Sequence, residues 1–149
     1  MTEAPKKILV PVDLSVRSEI AMSYAAMLAD ATGASIVVMM NINAPEREVL
    51  EKHAEAEHLS LDEAATEVLH RVGALHAPKS EVTIVVRADS SPADAILEVV
   101  DSVGADLIVL ASHGRSGMSR WMLGSVAEKI SRHAHVPLVI VPARQDDPS

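Results

Sequence analysis

Five short apolar runs punctuate the chain: KILVPV at Lys7–Val12, SIVVMM at Ser35–Met40, EVTIVV at Glu81–Val86, DLIVLA at Asp106–Ala111 and VPLVIV at Val136–Val141. Each is rich in Val and Ile and nearly continuous rather than alternating, as strands buried on both faces are. Between them the spacing turns helical. A helix is predicted over Val16–Thr32, with Ser15 as N-cap, Ile20, Tyr24, Met27 and Leu28 on one side, and Gly33 at its end. Another is predicted over Pro92–Val103, capped by Ser91, with Pro92 in the first helical position and Gly104 just beyond. The connection Ala44–Lys79 is long for one helix, and Ser60-Leu61-Asp62-Glu63 reads as a capping box inside it. A helix is therefore expected over Leu61–Leu75, after a variable segment around Glu46–His58. The last helix is expected over Val126–His133, after the polar, Gly-rich stretch 112–125.

Strands and helices alternate, and right-handed crossovers then give an α/β fold with a parallel sheet covered by helices on both faces. At 149 residues the chain suits one domain over 1–149, with an ordered core of about 6–143 and a frayed tail at Gln145–Ser149. A hydrophobic content of 48% and a mean hydropathy of +0.19 are enough to fill a core. With no Phe, Met22, Met27, Met39, Met40, Met118 and Met122 are expected to fill core and pocket. A net charge of −8 and a pI near 5.3 exclude a general nucleic-acid binder, which needs a basic face. The absence of cysteine excludes disulfides, thiolate metal sites, thiol nucleophiles and iron–sulfur clusters. No apolar stretch approaches the roughly 18 residues of a membrane span, so a soluble cytoplasmic protein is expected.

Ligands of open doubly wound sheets bind beyond the carboxyl ends of the strands. The residues in question are Val12-Asp13-Leu14-Ser15, Asn41-Ile42-Asn43 and Ser112-His113-Gly114-Arg115-Ser116-Gly117. Gly114 and Gly117 permit close approach of backbone N–H groups to a ligand. Further on, Gly124-Ser125 precedes a helix whose free N–H groups and dipole favour an anion; Ser125 also suits the cap of that helix. Residues 112–135 carry Arg115, Arg120, Lys129 and Arg132 against Glu128, a local balance of +3 in an acidic chain. Residues 46–67 carry eight acids, Glu46 among them, against Arg47 and Lys52, and read as a solvated helix surface. His113 has no Ser-His-acid order around it and is expected to be structural. The spacings of His53, His58, His70 and His76 give no i, i+4 pair, and no protein-ligated metal is expected. There is no G-x4-G-K-[ST] loop, which argues against an ATPase of that class. No acidic pair follows the first strand, and the third runs into Arg87-Ala88, which excludes a phosphorylated receiver domain.

Asp13, the stretch ADLIVLASHGRSGMSRWMLGSVAEKI from Ala105 to Ile130, and the ending HVPLVIVP from His135 to Pro142 resemble the universal stress protein family, over nearly the whole chain. In the nucleotide-binding branch the loop reads G-x2-G-x9-G-[ST]; here it is Ala111-x2-Gly114-x9-Gly124-Ser125, with alanine at the first glycine. The resemblance implies a Rossmann-like five-stranded sheet of order 3-2-1-4-5. It implies an ATP ligand, with Mg²⁺ carried through the phosphates. Asp13 would meet the ribose, Pro11, Val12 and Ile42 would line the adenine pocket, and Leu110 and Ala111 would flank the nucleoside. Gly114, Gly124, Ser125 and Val126 would hold phosphates, and His113, Arg115 and Gly117 complete the candidate set from the loop. It also implies a homodimer through the last strand, Val136–Val141, an apolar edge that would otherwise invite aggregation. The function expected is that of a regulatory, stress-response module with an unidentified protein partner, not an enzyme. The alternatives are a nucleotide-free dimeric adaptor and a slow ATPase or self-phosphorylating protein.

Overall fold

A computed structural model describes residues 3–112 and 124–142. Its elements are β1 (Lys7–Pro11), α1 (Val16–Thr32), β2 (Ser35–Asn41), α2 (Ala44–Glu57), α3 (Leu61–His76), β3 (Val82–Arg87), α4 (Pro92–Val103), β4 (Leu107–Ala111), α5 (Ser125–His133) and β5 (Leu138–Val141). The five strands pair in parallel in the order β3-β2-β1-β4-β5. Side chains alternate across the sheet and divide the core in two. Ile8, Val10, Ile36, Val38 and Met40 pack under α1, α2 and α3. Leu9, Val37, Met39, Ile108 and Leu110 pack under α4 and α5.

Two expectations are corrected here. Residues 44–57 form a regular helix rather than a variable segment. Pro45 stands in its first turn, and Glu46 Oε2 accepts the N–H of Asn43 at 3.2 Å. The pairs Arg47–Glu51 and Glu48–Lys52, one turn apart, run along its outer face. Of the large side chains of helix α1 only Met22 is fully buried. The inward face is Ser18, Ala21, Met22, Ala25, Ala26 and Ala29, while Tyr24 is exposed and Met27 is 54% exposed. Small residues let the helix axis lie close over the sheet, so the alanine stripe wins that face. Met22, Met39 and Met40 are buried as expected of core filler; Met27 is not, and Met118 and Met122 lie outside the described residues.

The caps show why the helices begin where they do. Ser15, Ser60 and Ser91 accept the N–H groups of Ser18, Glu63 and Asp94. The Ser60 backbone N–H, donating to Glu63, holds that carboxyl below its usual range. No helix of the described residues is long and apolar enough to cross a membrane.

Candidate functional site

The strand order reverses between β1 and β4, where α1 leaves on one face of the sheet and α5 on the other. A cleft of about 320 Å³ opens there, beyond the carboxyl ends of β2, β1 and β4. That lies at the lower end of the range of about 300–1,000 Å³ common for small-molecule sites. Its middle is apolar, built from Pro11, Met39, Ile96 and Leu110, and its two ends are polar.

One end is the start of α5. Gly124, not Ser125, is the N-cap, and it has no side chain to offer; Ser125 is the first helical residue. The expected capping role of Ser125 is therefore corrected. The first intrahelical bond runs from Glu128 N–H to the Gly124 carbonyl, at 3.0 Å. The N–H groups of Ser125, Val126 and Ala127 thus have no partner within the helix, and all three residues line the cleft. Gly124 N–H donates to the Ser112 carbonyl at 3.0 Å, and Ser112 N–H donates to Val141, which fixes this turn to the end of the sheet. Behind it, Lys129 Nζ lies 2.9 Å from Asp94 Oδ1 and joins α5 to α4. The Lys129 hydrogen bond, with help from Ser91, holds the Asp94 carboxyl below its usual range.

The opposite end is formed by Asn41, Asn43, Pro45 and Glu46. Asn41 exchanges two hydrogen bonds with the backbone of Asp89, its Nδ2 donating to the carbonyl at 3.0 Å and its Oδ1 accepting the N–H at 2.9 Å. This ties the end of β2 to the turn that starts α4. Glu46 is only 2% exposed. Its place in a solvated helix surface is corrected: capping Asn43 turns the side chain inward, into the cleft wall.

Between the ends stands the β1–α1 turn. Asp13 Oδ1 accepts from Ser15 N–H at 3.0 Å, and Asp13 N–H donates to the buried Ser18 hydroxyl at 3.3 Å. Leu14 adopts φ 68°, a left-handed conformation that costs a residue with a Cβ roughly 1–2 kcal/mol. The Ser18 hydroxyl, which also donates to the Ser15 carbonyl at 2.9 Å, helps hold the turn in that shape.

Of the residues singled out in the sequence, Pro11, Val12, Asp13, Leu110, Ala111, Gly124, Ser125 and Val126 all line this cleft. Ile42 does not; its side chain lies in the core under α1–α3, and its N–H donates to the Arg87 carbonyl. His113, Gly114, Arg115 and Gly117 lie outside the described residues. Asn41 and Asn43, named for their place after the second strand, and Met39, expected to fill core and pocket, line it too. Glu46 and Ile96 are walls that the sequence did not point to. Within the basic patch, Lys129 pairs with Asp94 and Arg132 with Glu128 at 2.6 Å, so the uncompensated positive end among the described residues is that of the helix itself.

Residues 5–142 match the family model described as the universal stress protein family. The chain belongs to the universal stress protein family. Universal stress protein MJ0531 of Methanocaldococcus jannaschii is 30% identical over 138 residues, covering 91% of this chain and 81% of that protein. Among solved universal stress protein folds, the structure of MJ0577 superposes with a TM-score of 0.74 at 24% identity, covering 97% of this chain and 100% of that one. A universal stress protein solved in complex with cAMP superposes with a TM-score of 0.66 at 24% identity, covering 94% and 98%. The Rossmann-like architecture of order 3-2-1-4-5 is common to them and to this chain.

Proposed function

We propose that this universal stress protein is a cytoplasmic regulatory module that binds ATP in the cleft, with Mg²⁺ carried on the phosphates, and acts as a homodimer on a protein partner. The observation that carries the reading is the first turn of α5, whose N–H groups face the cleft at a glycine cap. The complex of a related fold with cAMP supports an adenine nucleotide as the ligand. Phosphates take the N–H groups of Ser125 and Val126 and the Ser125 hydroxyl beside Gly124, with His113, Gly114, Arg115 and Gly117 completing the loop. Asp13 meets the ribose. Pro11 and Val12 line the base pocket, and Leu110 and Ala111 flank the nucleoside. Both carboxylates of the described walls, Asp13 and Glu46, accept backbone N–H groups, which suits turn and cap duties better than those of a catalytic base.

Calorimetric titration of nucleotide-stripped protein with Mg-ATP tests this reading, with saturable binding near one nucleotide per chain as the expected result. No heat at millimolar Mg-ATP would overturn it and favour the dimeric adaptor, with Ala111 in place of glycine as the departure responsible.

The dimer rests on β5. Ile108 N–H donates to the Pro137 carbonyl and Ser112 N–H to that of Val141, so the odd residues of β5 turn their backbone groups toward β4. By alternation, Leu138 and Ile140 turn theirs toward the outer edge of the sheet. Ile140→Pro removes an outward N–H without removing a bond to β4, and is expected to convert a dimer to a monomer in sedimentation equilibrium with the circular dichroism spectrum unchanged. A variant that remains dimeric would move the interface elsewhere.

A further inference from the structure

The sheet has two edges, and pairing of the last strands as set out above covers only β5. The other edge is β3, six residues long against four in β5. Five of the six, Val82, Thr83, Ile84, Val85 and Val86, are β-branched, and the strand holds no Pro, Gly or Lys to discourage pairing. Ile36 N–H donates to the Glu81 carbonyl and Ile42 N–H to that of Arg87, so the odd residues of β3 turn their backbone groups toward β2. By alternation Val82, Ile84 and Val86 turn theirs outward, where they meet no hydrogen-bonding partner among the described residues.

This edge is complementary to itself. Two copies of β3 laid antiparallel about a two-fold axis at Ile84 set Ile84 opposite Ile84, Val82 opposite Val86 and Thr83 opposite Val85. The same register sets Glu81, three residues before Ile84, opposite Arg87, three residues after it, at both ends. Val82, Ile84 and Val86 then occupy the hydrogen-bonded positions. Glu81 and Arg87 occupy non-hydrogen-bonded ones, where facing side chains stand closest. Neither residue forms an ion pair among the described residues. Slipping one copy by two residues sets Arg87 opposite Lys79 in one direction and Glu81 opposite Asp89 in the other, so like charges disfavour both neighbouring registers.

We propose that β3 is a second self-association edge, whose partner is the β3 of another copy of this chain, held in register by reciprocal Glu81–Arg87 contacts. Two six-residue strand edges are a small contact beside a stable interface, so the association is weak and grows with concentration. It joins last-strand dimers into larger assemblies, above the concentrations at which the dimer itself is measured.

Sedimentation velocity over a series of concentrations tests this on the full chain, with Glu81→Arg, Arg87→Glu, an equimolar mixture of the two, and the double variant. Glu81 is exposed and Arg87 only half-buried, so the fold tolerates each reversal. Each single variant sets like charges opposite at both ends and is expected to weaken self-association by about tenfold or more. The mixture and the double variant restore opposite charges at both ends and are expected to recover it. Indifference to both reversals, loss without recovery in the mixture, or no concentration-dependent mass in the wild type would each overturn the proposal. The last is the result expected if the edge takes an extended segment of a different protein. Ile140→Pro in the same runs removes only the last-strand contact, so failure of that contact and failure of this one are read apart.

Discussion

Gly124→Val is expected to lower Mg-ATP affinity by about 100-fold or more while the protein stays folded. Gly124 has φ −64° and ψ 158°, a conformation open to every L-residue, so valine introduces no backbone strain. Its two methyl groups would stand at the cleft wall, ahead of the N–H groups of Ser125, Val126 and Ala127. Hydrogen bonds to a charged acceptor contribute about 1.5–3 kcal/mol each, and displacing the phosphates from two of them accounts for two decades of affinity. The cost to the fold is of the order of 1 kcal/mol, that of a poor N-cap in place of glycine. Calorimetry with a thermal melt in parallel separates the two effects, and Gly124→Ala should lie between. Unchanged ATP binding by the valine variant would remove α5 from the phosphate site.

The strands were legible because a doubly covered parallel sheet demands continuous apolar runs, and KILVPV and SIVVMM have no other use for so many branched side chains. Their order was not legible from spacing and came from the family resemblance. Helix α1 shows where periodicity misleads. Ile20, Tyr24, Met27 and Leu28 have helical spacing and the greater hydrophobicity, yet the sheet took Ala21, Ala25, Ala26 and Ala29, because closeness of approach decides that face. Helix α2 was masked by its charge. Its acids looked like a solvated surface, whereas Glu46 holds the cap and the next turns pair Glu48 with Lys52 and Arg47 with Glu51.

The site divides along the same lines. Gly124 and Ser125 sit in a motif of fixed spacing and Asp13 follows the first strand, so all three could be found in the sequence. Ser18, Pro92 and Ile96 reach the cleft only because α1 and α4 begin beside it, which no local pattern states. Ile42 was assigned to the adenine pocket by the family resemblance, but the alternation that puts Met39 and Asn41 on the cleft side sends its side chain to the other face.

Leu9→Ala is expected to be the most damaging of the conservative truncations, and Leu75→Ala, the same chemical change, to be nearly silent. Leu9 is 0% exposed in β1, at the centre of the sheet. Its neighbours in register are Val37 of β2 and Ile108 of β4, and Ile96, Val99 and Ile130 cover the row from α4 and α5. Walls held on two sides by ladder hydrogen bonds cannot close over a void, so the loss combines transfer and cavity costs, about 2–5 kcal/mol. For a chain of this size that is a fall in melting temperature of about 10 °C. Leu75, on the outer side of α3, is 72% exposed and loses only contact with water, which places its cost within about 0.5 kcal/mol. Urea denaturation of the two variants beside the wild type measures both. Equal effects would mean that the row Val37–Leu9–Ile108 is not the tightly packed centre of the domain, and that the floor of the nucleotide cleft, where Met39 and Leu110 extend the same face, is soft.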